Sequence, residues 1–251
     1  MRKDSRYGWR RDIPDFRDLK FSAPKSVHLP PMIDLRLHCP PIYDQGILGS
    51  CTAQALAFLC QFNLAKFKHQ DQSIPSRLFI YFNERVLEKS VGEDSGAQIR
   101  SGIKTLKKEG FCSENSWPYD ITRFKNKPHS KCYDEALTNQ IEQYSRVGQT
   151  LGELKTAIAS GFPITFGFTV YDHFESSEVA KTGVLNYPQQ NEHAQGGHAV
   201  SIVGYDDSTQ RFLVRNSWGN DWGNRGYFTM PYSYVLDRNL ADDFWVVKWV
   251  T

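Results

Sequence analysis

The sequence predicts an α+β fold, with helices in the first half of the chain and antiparallel strands in most of the second. Segments with helical periodicity precede residue 110, whereas short segments rich in β-branched and aromatic residues follow residue 163. This segregation favours two lobes over an alternating parallel sheet, and ligand sites are common where two lobes meet.

Three helices are predicted in the first half. The run CTAQALAFLCQFNLAKF spaces its apolar residues at about 3.6 positions and lacks Gly and Pro, which predicts a mostly buried helix over Cys51–Phe67. Two further helices are predicted at Ser76–Glu88 and Gln98–Glu109, and Gly110 is placed to end the last one.

The second half contains one short predicted helix, Leu151–Ala159, before a series of strands. The strands are short and are separated by Gly, Asp and Asn, as in antiparallel sheets. They are predicted at Pro163–Val170, His198–Asp206, Arg211–Trp218, Gly226–Tyr232 and Phe244–Val250.

Composition excludes several classes of function. Hydrophobic residues make up 40% of the 251 residues, so a sizeable core can form, and the formal net charge of +2 gives no reason to expect nucleic acid or an anionic membrane as partner. No apolar run reaches the roughly 18 residues of a membrane helix, and the N-terminus lacks the apolar core of a secretory signal. We expect a monomer.

Cys51 is the first candidate for a catalytic residue. It follows a glycine-containing turn and begins a predicted helix, where the helix dipole favours a thiolate and the free N–H groups suit a developing oxyanion. Cysteine is also a common buried residue, so the position alone leaves a structural role open.

A histidine and an asparagine follow at the ends of predicted strands. A neutral imidazole at His198 could take the proton of a nearby thiol and form a thiolate–imidazolium pair, although His193 is a local competitor. Asn216 lies at the end of the next strand, where its amide could hold the imidazole tautomer. Trp218 could shield that hydrogen bond or simply belong to the core.

Several motifs, in the same order, resemble the papain family of cysteine peptidases. QGILGSC, ending at Cys51, is similar to the family's Q-G-x-C-G-S-C, and GGHAVSIVGYD and VRNSWGNDWGNRGYF are similar to its His and Asn–Trp segments. His198 lies 147 residues and Asn216 165 residues after Cys51, close to the family's spacing. The likeness covers about residues 30–251.

The resemblance implies a papain-like fold with a helical left lobe, a β-rich right lobe and an active-site cleft between them. Cys51 would be the nucleophile, His198 the general base and then acid, and Asn216 the residue that orients His198. Gln45 and the Cys51 N–H would hold the oxyanion, and Trp218 would shield the His–Asn bond. The expected substrate is a peptide or protein, with no cofactor and no metal.

Substrate-binding residues are also implied. An extended peptide would pair with the chain near residues 94–96, so Ser95, Gly96 and Gly197 are candidate contacts. Asp242 would lie near the floor of the main specificity pocket and favour Lys or Arg two positions before the scissile bond. The alternative is that Asp242 or Asp243 is a solvated turn residue.

The chain also departs from the family pattern. Leu48 stands where the family usually has a cysteine, so the usual disulfide cannot form, and an intracellular or leaderless origin is expected. Of the five cysteines, Cys112 and Cys132 could still pair, and Cys39 and Cys60 are interpreted as structural.

Residues 1–29 are predicted to form a short leader, and residues 30–251 the catalytic domain. Arg6–Phe21 mixes charged and aromatic residues, which suggests a segment that packs on the enzyme, partly occupies the cleft and inhibits it. A permanent structural extension is the alternative.

The leading functional hypothesis is a cysteine endopeptidase that forms an acyl-enzyme. A transpeptidase would use the same acyl-enzyme, and a catalytically silent papain-like binding module is a further alternative. A metal-binding Cys/His protein is disfavoured because the ligand spacing is absent.

Overall fold

A computed structural model describes residues 7–22, 28–67 and 73–250 of the chain. The α-helices in this part are α1 (Cys51–Phe67), α2 (Arg77–Leu87), α3 (Ile99–Lys108), α4 (Ser130–Ala136), α5 (Leu151–Ala159), α6 (Ser177–Thr182) and α7 (Tyr232–Leu236). The strands are β1 (Met32–Asp34), β2 (Ile141–Arg146), β3 (Ile164–Tyr171), β4 (Ala194–Asp206), β5 (Arg211–Arg215), β6 (Tyr227–Pro231) and β7 (Ala241–Val250). None of the described helices is long and apolar enough to cross a membrane.

The strands form a single antiparallel sheet in the order β2-β7-β3-β4-β5-β6, with β1 paired to β4. Strand β4 is a central strand of the sheet because it pairs with β3 along its first half and with β5 along its second half. In the first pairing, His198 lies opposite Phe168. The predicted α+β class with an antiparallel sheet is confirmed.

Helix α1 is the central element of the helical lobe. It packs against α2 and α3 on one side and against β4 and β7 on the other, so its side chains are buried around the whole circumference. A helix that is apolar on every side is expected in such a position. Its N-terminal residue, Cys51, therefore lies against the sheet.

Two apolar clusters form the cores of the two lobes. One surrounds α1 and includes Leu56, Leu78 and Ile103, and the other lies on the sheet and includes Phe166 and Phe212. The cleft runs between these two cores.

The predicted helices have the expected ends. The Ser76 hydroxyl accepts a hydrogen bond from the N–H of Phe79 at 3.1 Å and caps α2, and Gly110 adopts a φ of +73° just beyond α3. The predicted strand Arg211–Trp218 stops at Arg215, and beyond its end Ser217 O accepts a hydrogen bond from the backbone N–H of Gln45. Strand β2, which sequence reasoning missed, is short and mostly polar.

Candidate active site

His198 and Asn216 are joined by a hydrogen bond between adjacent strand ends. The distance from His198 Nε2 to Asn216 Oδ1 is 2.8 Å, and the same oxygen accepts the N–H of Ser217 at 2.8 Å. An atom that accepts from a backbone N–H is the amide oxygen, so a neutral His198 carries its proton on Nε2. His198 Nδ1 is buried with no hydrogen-bond partner and is left as the basic nitrogen.

Aromatic rings surround the histidine. The centroid of Trp218 lies 5.1 Å from that of His198, and Phe168 and Phe174 lie at 6.0 and 6.2 Å. Burial in this apolar shell lowers the pKa of His198 to about 4, although the hydrogen bond that His198 donates to Asn216 acts in the opposite direction. The shell excludes water from the His198–Asn216 bond.

Cys51 begins α1 and is fully buried. Burial raises the pKa of its thiol to about 11, and hydrogen bonds from the backbone of Ala199 and Gly8 lower it. The backbone contact with Ala199 places the thiol beside the residue that follows His198. The two shifts favour a neutral thiol and a neutral imidazole in this covered state, not the ion pair expected for an open cleft.

Gln45 is held in place by a junction with Ser217. Its backbone N–H donates to Ser217 O at 2.9 Å, and its side-chain Oε1 accepts from Ser217 Oγ at 2.7 Å. Its Nε2 donates one hydrogen to Leu48 O at 2.9 Å, which leaves a second N–H on the same atom. Gln45 and Asn216 are therefore positioned by contacts with the same residue, Ser217.

The cleft is occupied by the N-terminal part of the chain itself. Trp9 N donates to Gly197 O at 2.9 Å, Ala97 N donates to Gly8 O at 2.7 Å, and Arg10 N donates to Ala97 O at 3.1 Å. Trp9 and Ala97 form a parallel bridge. We call residues 7–12 the cleft strand.

The cleft strand passes directly over Cys51. A Cβ on Gly8 would lie 1.7 Å from the carbonyl oxygen of Gly49, and a Cβ on Gly96 would lie 2.0 Å from Gly8 O. Both close approaches involve backbone atoms, so only glycine fits at these two positions. On the other side, the ring of Tyr7 lies 6.0 Å from His198 and 6.2 Å from Trp218.

Carboxylates and guanidinium groups hold the strand where it leaves the cleft. Arg146 Nη2 lies 2.6 Å from Asp12 Oδ1, and Arg100 Nε lies 2.9 Å from Asp12 Oδ2. Asp18 pairs with both arginines. Arg146 also contacts Asp243 at 2.9 Å. We call this group the charge clamp.

The structure separates the residues predicted to bind substrate. Gly96 and Gly197 contact the cleft strand. The Ser95 hydroxyl instead donates to Gly96 O at 3.0 Å, and Ser95 is not among the described partners of the cleft strand. The Asp242 side chain is 26% exposed and pairs with Arg146 at 3.3 Å and with Arg11 of the cleft strand at 3.6 Å. The neighbouring Asp243 is the carboxylate that faces the buried cleft strand. A role for Asp242 in specificity stays a prediction.

Other site residues escaped sequence reasoning. Ala97, Gly167 and Asp243 contact the cleft strand, and Arg100 and Arg146 hold Asp12. None of them belongs to a short motif, so they become recognisable only through the path of the N-terminal segment.

The five cysteines are free thiols. Cys112 and Cys132 lie side by side without a bond, and burial together with the neighbouring Cys132 raises the pKa of Cys112. Among the described residues, no three His, Cys, Asp or Glu side chains are grouped so that they could hold a metal ion.

A cysteine with a histidine oriented by an asparagine, at the interface of a helical and a β-rich lobe, defines the class of papain-like cysteine peptidases. A family model described as papain family cysteine protease matches residues 29–241. The chain belongs to this family and is a cysteine peptidase.

Known relatives agree with this assignment. An uncharacterized peptidase C1-like protein of Acanthamoeba polyphaga mimivirus is 49% identical over 83% of this chain and 70% of its own length. A cathepsin B-like cysteine proteinase of Caenorhabditis elegans is 35% identical over 86% of this chain and 74% of its own length. A cathepsin B-like protein of Giardia intestinalis is 29% identical, and the chain covers 64% of it.

Solved structures show the same fold. Xylellain, a cysteine protease from Xylella fastidiosa, superposes with a TM-score of 0.92 at 46% identity, covering 100% of this chain and 98% of that one. A procathepsin B of Trypanosoma congolense has a TM-score of 0.71 at 17% identity, with 91% and 80% coverage, and so shares the fold.

Proposed function

We propose that this protein is a cysteine endopeptidase whose catalytic residues are Cys51, His198 and Gln45, with Asn216 as a positioning residue. The observation that carries the proposal is the buried Nδ1 of His198, which has no hydrogen-bond partner. His198 is followed in β4 by Ala199, whose backbone contacts the Cys51 thiol. With the proton of the neutral ring held on Nε2 by Asn216, Nδ1 has the lone pair that a general base needs.

The reaction follows from this arrangement. Nδ1 of His198 takes the thiol proton, and the sulfur of Cys51 attacks the carbonyl carbon of the peptide bond. The leaving amine receives that proton from His198 as the tetrahedral intermediate collapses to a thioester. Water, deprotonated by His198, then hydrolyses the thioester and releases the second product.

Two N–H groups stabilise the oxyanion of the intermediate in this proposal. The Cys51 N–H is at the first position of α1, where no helical carbonyl accepts it. The second N–H belongs to Gln45 Nε2, and the hydrogen bond from Ser217 to Gln45 Oε1 fixes the orientation of that amide. Loss of one such donor typically lowers kcat by about 10²- to 10³-fold.

Residues 1–29 act as an inhibitory leader in this proposal, and residues 30–251 as the catalytic domain. The described residues 7–12 support inhibition because Gly8 covers the thiol and Trp9 fills the adjoining space. A substrate carbonyl cannot reach Cys51 while Gly8 hydrogen-bonds its sulfur. The cleft strand must therefore leave before catalysis.

The experiment uses the full chain with Gly8→Val, because a side chain there would overlap the carbonyl of Gly49 and displace the strand. Hydrolysis of fluorogenic peptide amides is measured in this background and after adding Cys51→Ala, His198→Ala or Asn216→Ala. We expect no turnover with Cys51→Ala, a loss of activity of at least about 10³-fold with His198→Ala and a smaller loss with Asn216→Ala. Cys39→Ser, whose hydroxyl can replace the thiol bond to Leu35 O, is the matched control.

Retained activity in Cys51→Ala would contradict the proposal. A silent binding module would show no turnover in any background, even with the cleft open. Adding a free amine and analysing the products by mass spectrometry separates hydrolysis from transfer, since a transpeptidase would accumulate the aminolysis product.

A further inference from the structure

The side chain of Trp9 fills a pocket that two glycines make possible. A Cβ on Gly167 would lie 1.9 Å from Trp9 Cε2, and a Cβ on Gly197 would lie 2.7 Å from Trp9 Cε3. Real Cβ atoms do not approach other atoms so closely, so any larger residue at Gly167 would remove space that the indole now occupies. The pocket leaves Trp9 only 6% exposed.

The polar edge of the indole meets a buried carboxylate. Trp9 Nε1 donates to Asp243 Oδ2 at 3.0 Å, and the backbone N–H of Asp12 donates to the same oxygen at 3.1 Å. Arg146 Nη2 donates to the other oxygen, Oδ1, at 2.9 Å. Asp243 is fully buried and adopts a φ of 61°, a conformation that fixes the direction of its side chain.

Departure of the cleft strand changes the two oxygens of Asp243 differently. Oδ1 keeps its partner, because Arg146 belongs to β2 and not to the leader. Oδ2 loses both donors, Trp9 and Asp12, and a buried acceptor without a donor is costly. The open pocket thus has the size of an indole and one unsatisfied acceptor where the indole N–H was.

We propose that this pocket selects tryptophan in the substrate, with Gly167, Gly197 and Asp243 as the residues that determine specificity. The inference rests on the proposed peptidase function and names the side chain that its pocket takes, two residues before the scissile bond. Phenylalanine fills less of the space and lacks a donor. Arginine would bring a second guanidinium next to Arg146, which already pairs with Asp243 and Asp242.

The test compares reporter peptides that differ at one position, using the full-length Gly8→Val chain. Tryptophan, 2-naphthylalanine, phenylalanine and arginine are placed two residues before the scissile bond, and kcat/KM is measured for each. Naphthylalanine matches the size of the indole but has no N–H, so it isolates the hydrogen bond to Asp243. We expect kcat/KM for the tryptophan reporter to be at least about tenfold higher than for each of the naphthylalanine, phenylalanine and arginine reporters.

A pocket variant provides the second arm. Gly167→Ala puts a methyl group into the indole space and should lower kcat/KM for tryptophan reporters much more than for leucine reporters. The matched control is Gly152→Ala on α5, where a Cβ meets nothing within 4 Å. Equal loss for both reporters, or a preference for arginine, overturns the proposal and leaves the peptidase function standing.

A third readout does not require catalysis. In full-length chains with Trp9→Phe, Trp9→Leu or Trp9→Arg, the rate at which a small alkylating reagent modifies Cys51 measures how firmly the pocket holds each side chain. The rate should be lowest for tryptophan and at least about tenfold higher for each variant. If rates are equal, the pocket does not select tryptophan, whatever the outcome for peptidase activity.

Discussion

The cleft strand and the loop that follows it are adjacent in sequence but are held by different forces. Within residues 7–12, Trp9 and Asp12 are 6% and 4% exposed, and the main chain pairs with both lobes. Within residues 13–19, Ile13 and Phe16 are 83% and 95% exposed, and the main inward contacts are those of Asp18 with two arginines. Steric fit and main-chain pairing therefore hold the cleft strand over Cys51, while charge pairing, which begins at Asp12, ties down the end of that strand and the chain beyond it.

The largest expected effect comes from disturbing the steric fit. Gly8→Val places side-chain atoms against the backbone of Gly49, which cannot yield, and overpacking of this kind costs about 1–3 kcal/mol or more. We expect kcat/KM on peptide reporters to rise about 10- to 100-fold relative to the unsubstituted chain. Gly152→Ala controls for the loss of a glycine, and an unchanged rate in Gly8→Val would show that the strand does not limit access.

A smaller effect is expected from the charge clamp. Asp12→Asn removes one carboxylate between Arg100 and Arg146, but Asp18 still pairs with both arginines and Asp243 with one. We expect kcat/KM to rise by about tenfold or less, since a hydrogen bond to a charged group contributes about 1.5–3 kcal/mol and part is retained. Because Asp12 is buried, the effect should vary little with salt. A rise larger than that of Gly8→Val would reverse the proposed order of forces.

Opening the cleft should also move the protonation equilibrium of His198. In the covered state burial lowers its pKa to about 4, so the folded chain keeps the imidazole neutral from neutral pH down to about pH 4. Water entering the opened cleft removes part of the desolvation penalty, and a Cys51 thiolate would stabilise the imidazolium, so the pKa of His198 should rise to 6.5 or above in Gly8→Val. NMR titration of labelled histidine, assigned with His198→Gln, measures both values. Equal titration midpoints for His198 in the unsubstituted chain and in Gly8→Val would mean that the cleft strand does not control the burial of His198.

The smallest effect is expected in the exposed loop. Phe16→Ser and Ile13→Ser replace side chains that make few contacts, and such surface changes usually stay within about 0.5 kcal/mol. Reporter hydrolysis should change by less than about threefold in either variant. A large increase in either would show that the loop, and not the cleft strand, holds the leader in place.

The sequence predicted those features that depend on local pattern. The start of α1 at Cys51 followed from periodicity and a glycine-containing turn, and the motif order indicated His198 and Asn216. The choice between Asp242 and Asp243 could not be predicted by counting along β7, because the register against β3 shifts between Thr165 and Gly167. Asp243 also adopts a left-handed φ, which breaks the simple alternation of sides along a strand.

The path of the leader was beyond sequence reasoning for a different reason. Its contacts join residues far apart in sequence, such as Trp9 with Asp243, and each alone is an ordinary pair of residue types. Gly8 also looks like any glycine in the sequence, and its role appears only once Gly49 and Gly96 lie against it. Aromatic residues between charges were the only available signal.

The most direct test of the account is the rate at which a peptidyl epoxide, a reagent for catalytic thiols, alkylates Cys51 in full-length chains. Intact mass and peptide mapping are followed over time for the unsubstituted chain, Gly8→Val and Gly8→Val with Cys51→Ala. The account predicts one adduct on Cys51, formed at least about tenfold faster in Gly8→Val, and none in the double variant. Equal rates in the first two chains, or an adduct on another cysteine, would contradict it.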